Sequence, residues 1–194
     1  GIISFRPAFF RFRGVHLGGA SLNCINFVVP MNPCPCGYYP DHNKCHCTPG
    51  EIRRYLSRVS GPILDRIDLC VEAPRLTIAE ISAGQNNESS AAIRGRVMAA
   101  RERQEHRFRG TPYRFNTDLK AGELRRYVEL GERELRMLEQ LFLTMGLSAR
   151  AYHRIIRLAR TIADLDESEK VLERHISEAA CYRAADPGMR LTQL

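Results

Sequence analysis

Four of the seven cysteines lie in one short stretch, with a spacing that could hold a metal ion. The stretch reads Cys34-Pro-Cys36, then eight residues, then Cys45-His-Cys47. Four thiolates complete a tetrahedral zinc site that has no open coordination position, so such a site would be structural rather than catalytic. A single residue between paired ligands is tighter than the common spacing of two to four residues.

Other interpretations of this cysteine cluster stay open. His42 or His46 could replace one thiolate, an iron-sulfur cluster also takes cysteine ligands, and the thiols could simply pack or stay reduced. The chain has an odd number of cysteines and four of the seven are crowded into one loop, which argues against a disulfide framework and for a reducing compartment.

Two polar residues at the ends of predicted elements are candidates for contacts with phosphate. Asn32 follows a short apolar run at 25–29 that predicts a buried strand, and its amide could orient a water molecule or touch a phosphate oxygen. Arg66 precedes a second predicted strand and could direct its guanidinium at a phosphate. The simpler alternatives are a turn at Asn32 and a salt bridge from Arg66 to Asp65 or Asp68.

Arginines on two predicted helices are further candidates. Arg150 lies near the start of a helix that Ser148 should cap, with Arg154 and Arg157 on nearby faces. The helix at 91–109 carries six arginines and two glutamates, which suits a nucleic-acid backbone or a neighbouring subunit. A solvated helix face is the simpler explanation of both sets of arginines.

The elements that must position these residues follow from capping signals and periodicity. A capping box at Thr48-Pro49-Gly50-Glu51 predicts a helix at 49–59, and apolar residues alternate with polar ones at 67–72 as in a strand. Helical patterns follow at 118–130, 132–145, 149–164 and 173–184, with Gly146 placed to end the second of these. We therefore expect an α/β part followed by an all-α domain, and a chain that is mostly helical overall.

Several of these motifs together resemble the YifB/ComM family of magnesium-chelatase-like AAA+ ATPases. The resemblance covers about 27–183, in order and at similar spacing. The motifs that carry it are Met31-Asn-Pro-Cys-Pro-Cys-Gly-Tyr-Tyr39, Cys45-His-Cys-Thr-Pro49, Arg54-Tyr-Leu-Ser-Arg58, Ser60-Gly-Pro-Ile-Leu-Asp-Arg-Ile-Asp-Leu69, Ser89-Ser90, Ala100-Arg-Glu-Arg-Gln104, Ser148-Ala-Arg-Ala-Tyr-His-Arg154 and Ala159-Arg-Thr-Ile-Ala-Asp164.

The resemblance implies a role for each phosphate candidate. Asn32 would be the sensor 1 residue that senses the terminal phosphate of ATP, and Arg66 the arginine finger that reaches the nucleotide of an adjacent subunit. Arg150 would be the sensor 2 arginine of the helical lid. ATP and Mg²⁺ are the implied cofactors, with structural Zn²⁺ at Cys34, Cys36, Cys45 and Cys47 as a further expectation. A finger acting in trans implies a homo-oligomeric ring, a hexamer by the resemblance.

The same resemblance sets the expected domain organisation. We expect the last part of an AAA+ core with the cysteine-rich loop at 1–75, a connecting region with a basic helix at 76–115, and a helical lid at 116–194. Residues 1–26 are atypical of the family. Its glycine-rich phosphate loop and acidic magnesium-binding motif do not occur in the 194 residues, so we expect the C-terminal portion of an ATPase that is inactive alone.

Composition narrows the partners and the compartment. The formal net charge of +7 suits DNA, nucleotide phosphates or an acidic neighbour. No apolar run of 18 residues occurs, so we expect a cytoplasmic protein without a membrane partner. DNA remodelling of the ComM type is the expected function, while insertion of magnesium into a porphyrin stays open. A non-enzymatic zinc module with a helical bundle that binds nucleic acid is the alternative.

Overall fold

The structure is a computed structural model that describes residues 30–59, 67–73, 78, 82 and 88–184. The chain divides into two compact units, at 1–31 and 32–194, and nearly all described residues belong to the second. The described residues are mostly helical and contain no strand. The strand predicted at 25–29 and the finger candidate Arg66 lie outside them.

Helix α1, Pro49–Leu56, begins at the predicted capping box. Thr48 accepts a hydrogen bond from the Glu51 amide at 3.3 Å, and the Thr48 amide donates to Glu51 Oε2 at 2.8 Å. These reciprocal bonds satisfy backbone donors that the first helical turn leaves free. The helix ends three residues before the predicted Val59, where Ser57 adopts a capping conformation.

Five of the described helices, numbered α2 to α6 in chain order, form the helical bundle. Their bounds are Ser90–Arg107, Leu124–Tyr127, Glu132–Thr144, Ala149–Leu165 and Glu173–Ala184. Helix α5 lies at the centre and packs against α2, α3 and α6, while α4 packs on α6. The apolar stripe of α5 supplies the core through Ala151, Ile155, Ile156, Ala159, Ile162 and Ala163.

The prediction of one continuous helix at 118–130 is wrong. The structure has 3₁₀ turns at Asn116–Asp118 and Ala121–Glu123 before the four-residue α3. Asp118 Oδ2 accepts the amides of Arg114 and Phe115, both at 2.9 Å, which caps the first turn, and Leu119 is extended directly after it. Local side-chain bonds to the backbone compete with a continuous helix here.

The strand predicted at 67–72 is also wrong, because these residues form irregular chain. Leu69 and Val71, which should face a core, are 48% and 72% exposed. Instead of pairing with a strand, the segment forms a hydrogen bond and a salt bridge with Arg154 of α5. It also forms a backbone hydrogen bond with Tyr182 of α6.

The domain boundaries expected near 75 and 115 stay predictions. The buried hydrophobic residues of the described part form two clusters. One is a small core of Cys34, Ile52 and Leu56, and the other is the large core of the helical bundle. Phe108, at the end of α2, belongs to the large core. Helix α2 therefore packs with the bundle, although the sequence assigned it to a connecting region.

Candidate functional site

The four cysteines of the predicted metal site lie together. The Sγ atoms of Cys34 and Cys36 are 3.3 Å apart, those of Cys36 and Cys45 3.6 Å, and those of Cys34 and Cys45 3.8 Å. With Cys47, all four sulfur atoms lie within 4.8 Å of one another. Tetrahedral zinc with Zn–S bonds of about 2.3 Å needs sulfur atoms about 3.8 Å apart. The observed separations, from 3.3 Å to at most 4.8 Å, lie on both sides of this value, so the four thiols need to shift only slightly to hold one zinc ion.

Backbone turns bring the two cysteine pairs together. Gly37 has a φ of 78° and its amide donates to the Cys34 carbonyl at 3.0 Å. A second turn follows at Asp41, whose carbonyl accepts the Cys45 amide at 2.7 Å. A left-handed residue is needed to reverse the chain so sharply after Cys36, and glycine adopts that conformation without strain.

The small core beneath the cysteines anchors one ligand. Cys34 is fully buried against Ile52 and Leu56 of α1, and its sulfur accepts the Tyr39 amide at 3.4 Å. Cys36, by contrast, is exposed. Helix α1 thus fixes one thiol rigidly, and the loop delivers the others to it.

The thiols have different affinities for protons. A backbone hydrogen bond at Tyr38, with help from the neighbouring thiols, lowers the pKa of Cys36 to about 6. The backbone bond from Cys36 acts to lower the pKa of Cys47, but burial and the neighbouring thiols outweigh it and raise that pKa to about 12. One thiolate therefore forms first and its charge opposes the next, a repulsion that a dication would relieve.

The histidine alternatives receive no support from the geometry. The group of ligand atoms in the described residues consists of the four thiols. His42 instead packs edge-on against the Tyr39 ring, with centroids 6.3 Å apart.

The phosphate candidates are less fully described. Asn32 is exposed on irregular chain two residues before Cys34, and Arg150 is exposed on the first turn of α5. Ser148 caps that turn by accepting the Ala151 amide at 3.1 Å, as the sequence predicts. The exposed guanidinium of Arg150 and the capped helix start together suit an anion.

Arg150 belongs to an arginine cluster that also includes Arg154, Arg157 and Arg183. Arg154 Nη1 donates to the Ile67 carbonyl at 2.9 Å, and Arg154 Nε pairs with Asp68 at 3.0 Å. Burial lowers the pKa of Arg154, the nearby arginines lower it further, and Asp68 opposes them. The sequence placed Arg154 and Arg157 on nearby faces but missed the contact with Asp68, because no local pattern links residues so far apart.

Comparison with known proteins identifies the family. The magnesium chelatase subunit ChlI family matches residues 22–81, and the ChlI C-terminal family matches 87–183. The chain belongs to the magnesium chelatase family. The two matched regions cover the residues that carry the family motifs in the sequence, so the family expected from those motifs is confirmed.

The similarity of this chain to two curated relatives extends over most of its length. The uncharacterized protein YifB of Escherichia coli is 43% identical over 161 residues, which is 82% of this chain and 31% of YifB. The competence protein ComM of Haemophilus influenzae is 40% identical over 159 residues, 81% of this chain and 30% of ComM. The chain thus spans about a third of the length of these relatives.

The region that matches the chelatase C-terminal family also contains a buried ionic network. Asp164, with no exposed side-chain surface, accepts hydrogen bonds from Arg107, Arg160 and Asn116. Arg160 also donates to the carbonyls of Ser168 and Glu169 at 2.6 and 2.7 Å. The network joins α2, the first 3₁₀ turn and α5, and the sequence offered only the four-residue spacing of Arg160 and Asp164 as a signal.

No described helix of this chelatase-family chain combines the length and the apolar character needed to cross a membrane.

Proposed function

We propose that these 194 residues form the C-terminal part of an AAA+ ATPase that couples ATP hydrolysis to remodelling of DNA. The observation that carries the proposal is the similarity to YifB and ComM over more than four-fifths of the chain. DNA is the substrate class because ComM is named a competence protein and because the chain carries a net charge of +7. The full-length ATPase would combine these residues with a glycine-rich phosphate loop and act as a homo-oligomeric ring, a hexamer.

Three side chains of this chain would act on the nucleotide. Arg150, exposed at the start of α5, would bind a phosphate of ATP in its own subunit. Asn32 would orient the attacking water, and Arg66 would reach the nucleotide of a neighbouring subunit. Mg²⁺ would neutralise phosphate charge when bound. Fixed cations beside the transferring phosphoryl group stabilise the charge that develops in the transition state.

ATP hydrolysis by the full-length ATPase, with and without branched DNA, tests this proposal. We expect DNA to stimulate turnover and Arg150→Ala to lower kcat by about a hundredfold, in the range found when one transition-state donor is removed. Arg136→Ala is the matched control, because Arg136 is exposed on α4 and forms a salt bridge with Glu132 at 3.5 Å on the surface of the same helix. Equal effects of the two substitutions would overturn the role of Arg150, and absence of turnover would overturn the ATPase.

The chain by itself should not hydrolyse ATP, because its sequence contains no glycine-rich loop to hold the phosphates. Turnover by the purified 194-residue chain that Arg66→Ala abolishes would contradict this expectation.

We also propose that the cysteine cluster binds one structural Zn²⁺. The four sulfur atoms lie within 4.8 Å of one another, and a closed four-thiolate shell leaves no position for substrate. Metal analysis of chain purified without added zinc should give about one zinc per chain, and about none after Cys34, Cys36, Cys45 and Cys47 are all replaced by serine. Cys181→Ser, outside the cluster, is the control and should retain the metal. Metal-free wild-type chain would rule out the site.

A further inference from the structure

The first half of helix α2 is exposed on every side. All residues from 90 to 98 are exposed, and the buried residues of α2, Ala100 and Gln104, lie in its second half. An α-helix rises 1.5 Å per residue, so the exposed half is about 13 Å long. This part of α2 is therefore open to a large ligand that approaches from solvent.

Two exposed arginines lie on one side of α2. Arg94 and Arg101 are seven residues apart, which is two helical turns, so they share a face and lie about 10 Å apart along the axis. Ala100 and Gln104 mark the side by which α2 packs on the bundle, about a quarter turn away. The two guanidinium groups therefore extend from a side of the helix that its packing leaves free.

A third arginine joins them from the irregular chain that follows the helix. The guanidinium of Arg101 lies 5.7 Å from the centre of the Phe115 ring, and that of Arg114 lies 5.4 Å from the same centre. Both distances are within the range of about 6 Å for cation–π contacts. Asp118 fixes the backbone here by accepting the amides of Arg114 and Phe115, both at 2.9 Å. We call Arg94, Arg101 and Arg114 the cationic row.

The cationic row differs from the other arginines of α2 in its partners. Three of these form salt bridges with described carboxylates: Arg96 with Glu88, Arg103 with Glu167 and Arg107 with Asp164. Among the described acidic side chains, none forms a salt bridge with a member of the row. Cations held near one another without counter-charges attract an anion that carries several charges at a similar spacing.

The chemistry of the row favours the phosphate backbone of duplex DNA. A guanidinium group binds phosphate oxygens through two parallel hydrogen bonds. Single-stranded nucleic acid is usually bound by exposed aromatic rings that stack on its bases. Phe108 is buried and Phe115 already contacts two guanidinium groups, so neither ring is free to stack. Duplex DNA needs no such rings, because its charges lie on the outside of a stiff helix.

We propose that the cationic row is a binding surface for the phosphate backbone of duplex DNA. The row does not read base sequence, because contacts with phosphate carry no direct sequence information. The inference rests on the proposed function, which takes DNA as the substrate, and it assigns contact with the duplex arms of branched DNA to α2 and the chain after it. Glu105, four residues after Arg101 on the same face, opposes this binding.

Fluorescence anisotropy of a short labelled duplex, titrated with the 194-residue chain at several salt concentrations, tests the proposal. Each phosphate contact contributes about 0.9 to the slope of log affinity against log salt concentration. Arg94→Gln, Arg101→Gln and Arg114→Gln should each weaken binding and make this slope shallower by about 0.9, and the triple variant by about 2.7. Duplexes of unrelated sequence should show the same losses.

Three further variants separate the charge of the row from the fold and from the net charge. Arg96→Gln is the matched control, because Arg96 is exposed on the same helix, pairs with Glu88 and faces a different side from Arg94. It should leave the slope unchanged. Arg101→Lys keeps the charge and should keep the slope. Glu105→Gln removes a negative charge beside the row and should strengthen binding, a gain that partial unfolding would not produce.

The outcomes distinguish the inference from the function on which it rests. Equal losses in Arg96→Gln and in the row variants would show that binding follows the net charge of +7, which overturns the inference. Tighter binding of a single strand of equal length, loss of the slope in Arg101→Lys, or absence of duplex binding by the wild-type chain would also overturn it. The proposed function fails separately, if branched DNA does not stimulate ATP hydrolysis by the full-length ATPase.

Discussion

His153 lies in a groove between α4 and α5, lined by Leu135, Glu139, Phe142 and Tyr152. Burial lowers the pKa of His153, and Arg157 lowers it further. The folded protein therefore binds the proton less tightly than the unfolded chain, in which the pKa is 6.5. The stability that this histidine contributes is present above pH 6.5 and is lost as pH falls from 6.5 through the lower folded pKa.

We expect the melting temperature to fall between pH 7.5 and pH 5.5 less steeply in His153→Gln than in the wild type, as measured by thermal unfolding. The reason is that the variant has no proton to take up at this position on unfolding. His106→Gln removes an exposed histidine of α2 and serves as the control. Parallel pH curves for wild type and His153→Gln would show that protonation of His153 is not coupled to unfolding.

The ends of individual elements depend on single glycines and caps. Gly146 ends α4 with a φ of 57°, and the Leu147 amide donates back to the Phe142 carbonyl at 3.2 Å. Gly95 lies within α2. A Cβ added at either glycine would have no atom within 4 Å beyond its immediate neighbours. The backbone conformation alone should therefore decide the effect of adding one.

Gly146→Ala should lower the free energy of unfolding by about 1 kcal/mol, because alanine is strained in the left-handed region. Gly95→Ala should raise it by about 0.5–1 kcal/mol, because alanine loses less backbone entropy than glycine in a helix. Urea denaturation of the two variants and the wild type measures both changes. Shifts of the same sign in both variants would show that something other than backbone conformation controls them.

The elements that the sequence predicts well are those fixed by local signals. Helices α4, α5 and α6 begin and end within about one residue of expectation, since Gly146 and Ser148 mark the boundary between α4 and α5. The clustering of the four cysteines was predictable for the same reason, because all of them come from one 14-residue stretch.

Long-range contacts account for what the sequence did not predict. The alternation at 67–72 is that of a strand, yet Arg154, 87 residues after Ile67, holds this segment in an irregular conformation. The Asp164 network likewise joins residues 57 and 48 positions apart. Periodicity reports which face of an element is apolar and carries no information about such partners.

At the scale of the whole molecule, the described residues contain two separate hydrophobic cores. One comprises Cys34, Ile52 and Leu56 with the partly buried cysteines and tyrosines around them, and the other is the core of the helical bundle. A three-residue core buries too little apolar surface to offset the entropy of ordering its loop, so a bound metal would have to supply the difference.

Removing the proposed zinc ion with a chelator should therefore unfold the loop and α1 while the bundle stays folded. Hydrogen exchange should show loss of protection at 34–56 and unchanged protection in α5 and α6. The chain with all four ligand cysteines replaced by serine should match the chelated wild type without any treatment. Uniform loss of protection in both regions would show instead that the two cores fold as one unit.

The hydrogen bonds from Arg160 to the carbonyls of Ser168 and Glu169 restrict the length of the connection between α5 and α6. In the turn between α5 and α6, Glu167 has a φ of 55°, and the Ser168 amide donates a hydrogen bond to the Ala163 carbonyl at 2.8 Å. One inserted residue would move both carbonyls away from the buried guanidinium of Arg160, whose side chain is 3% exposed. Tags and linkers inserted into this protein should therefore be tolerated poorly between α5 and α6, even though that connection lies at the surface.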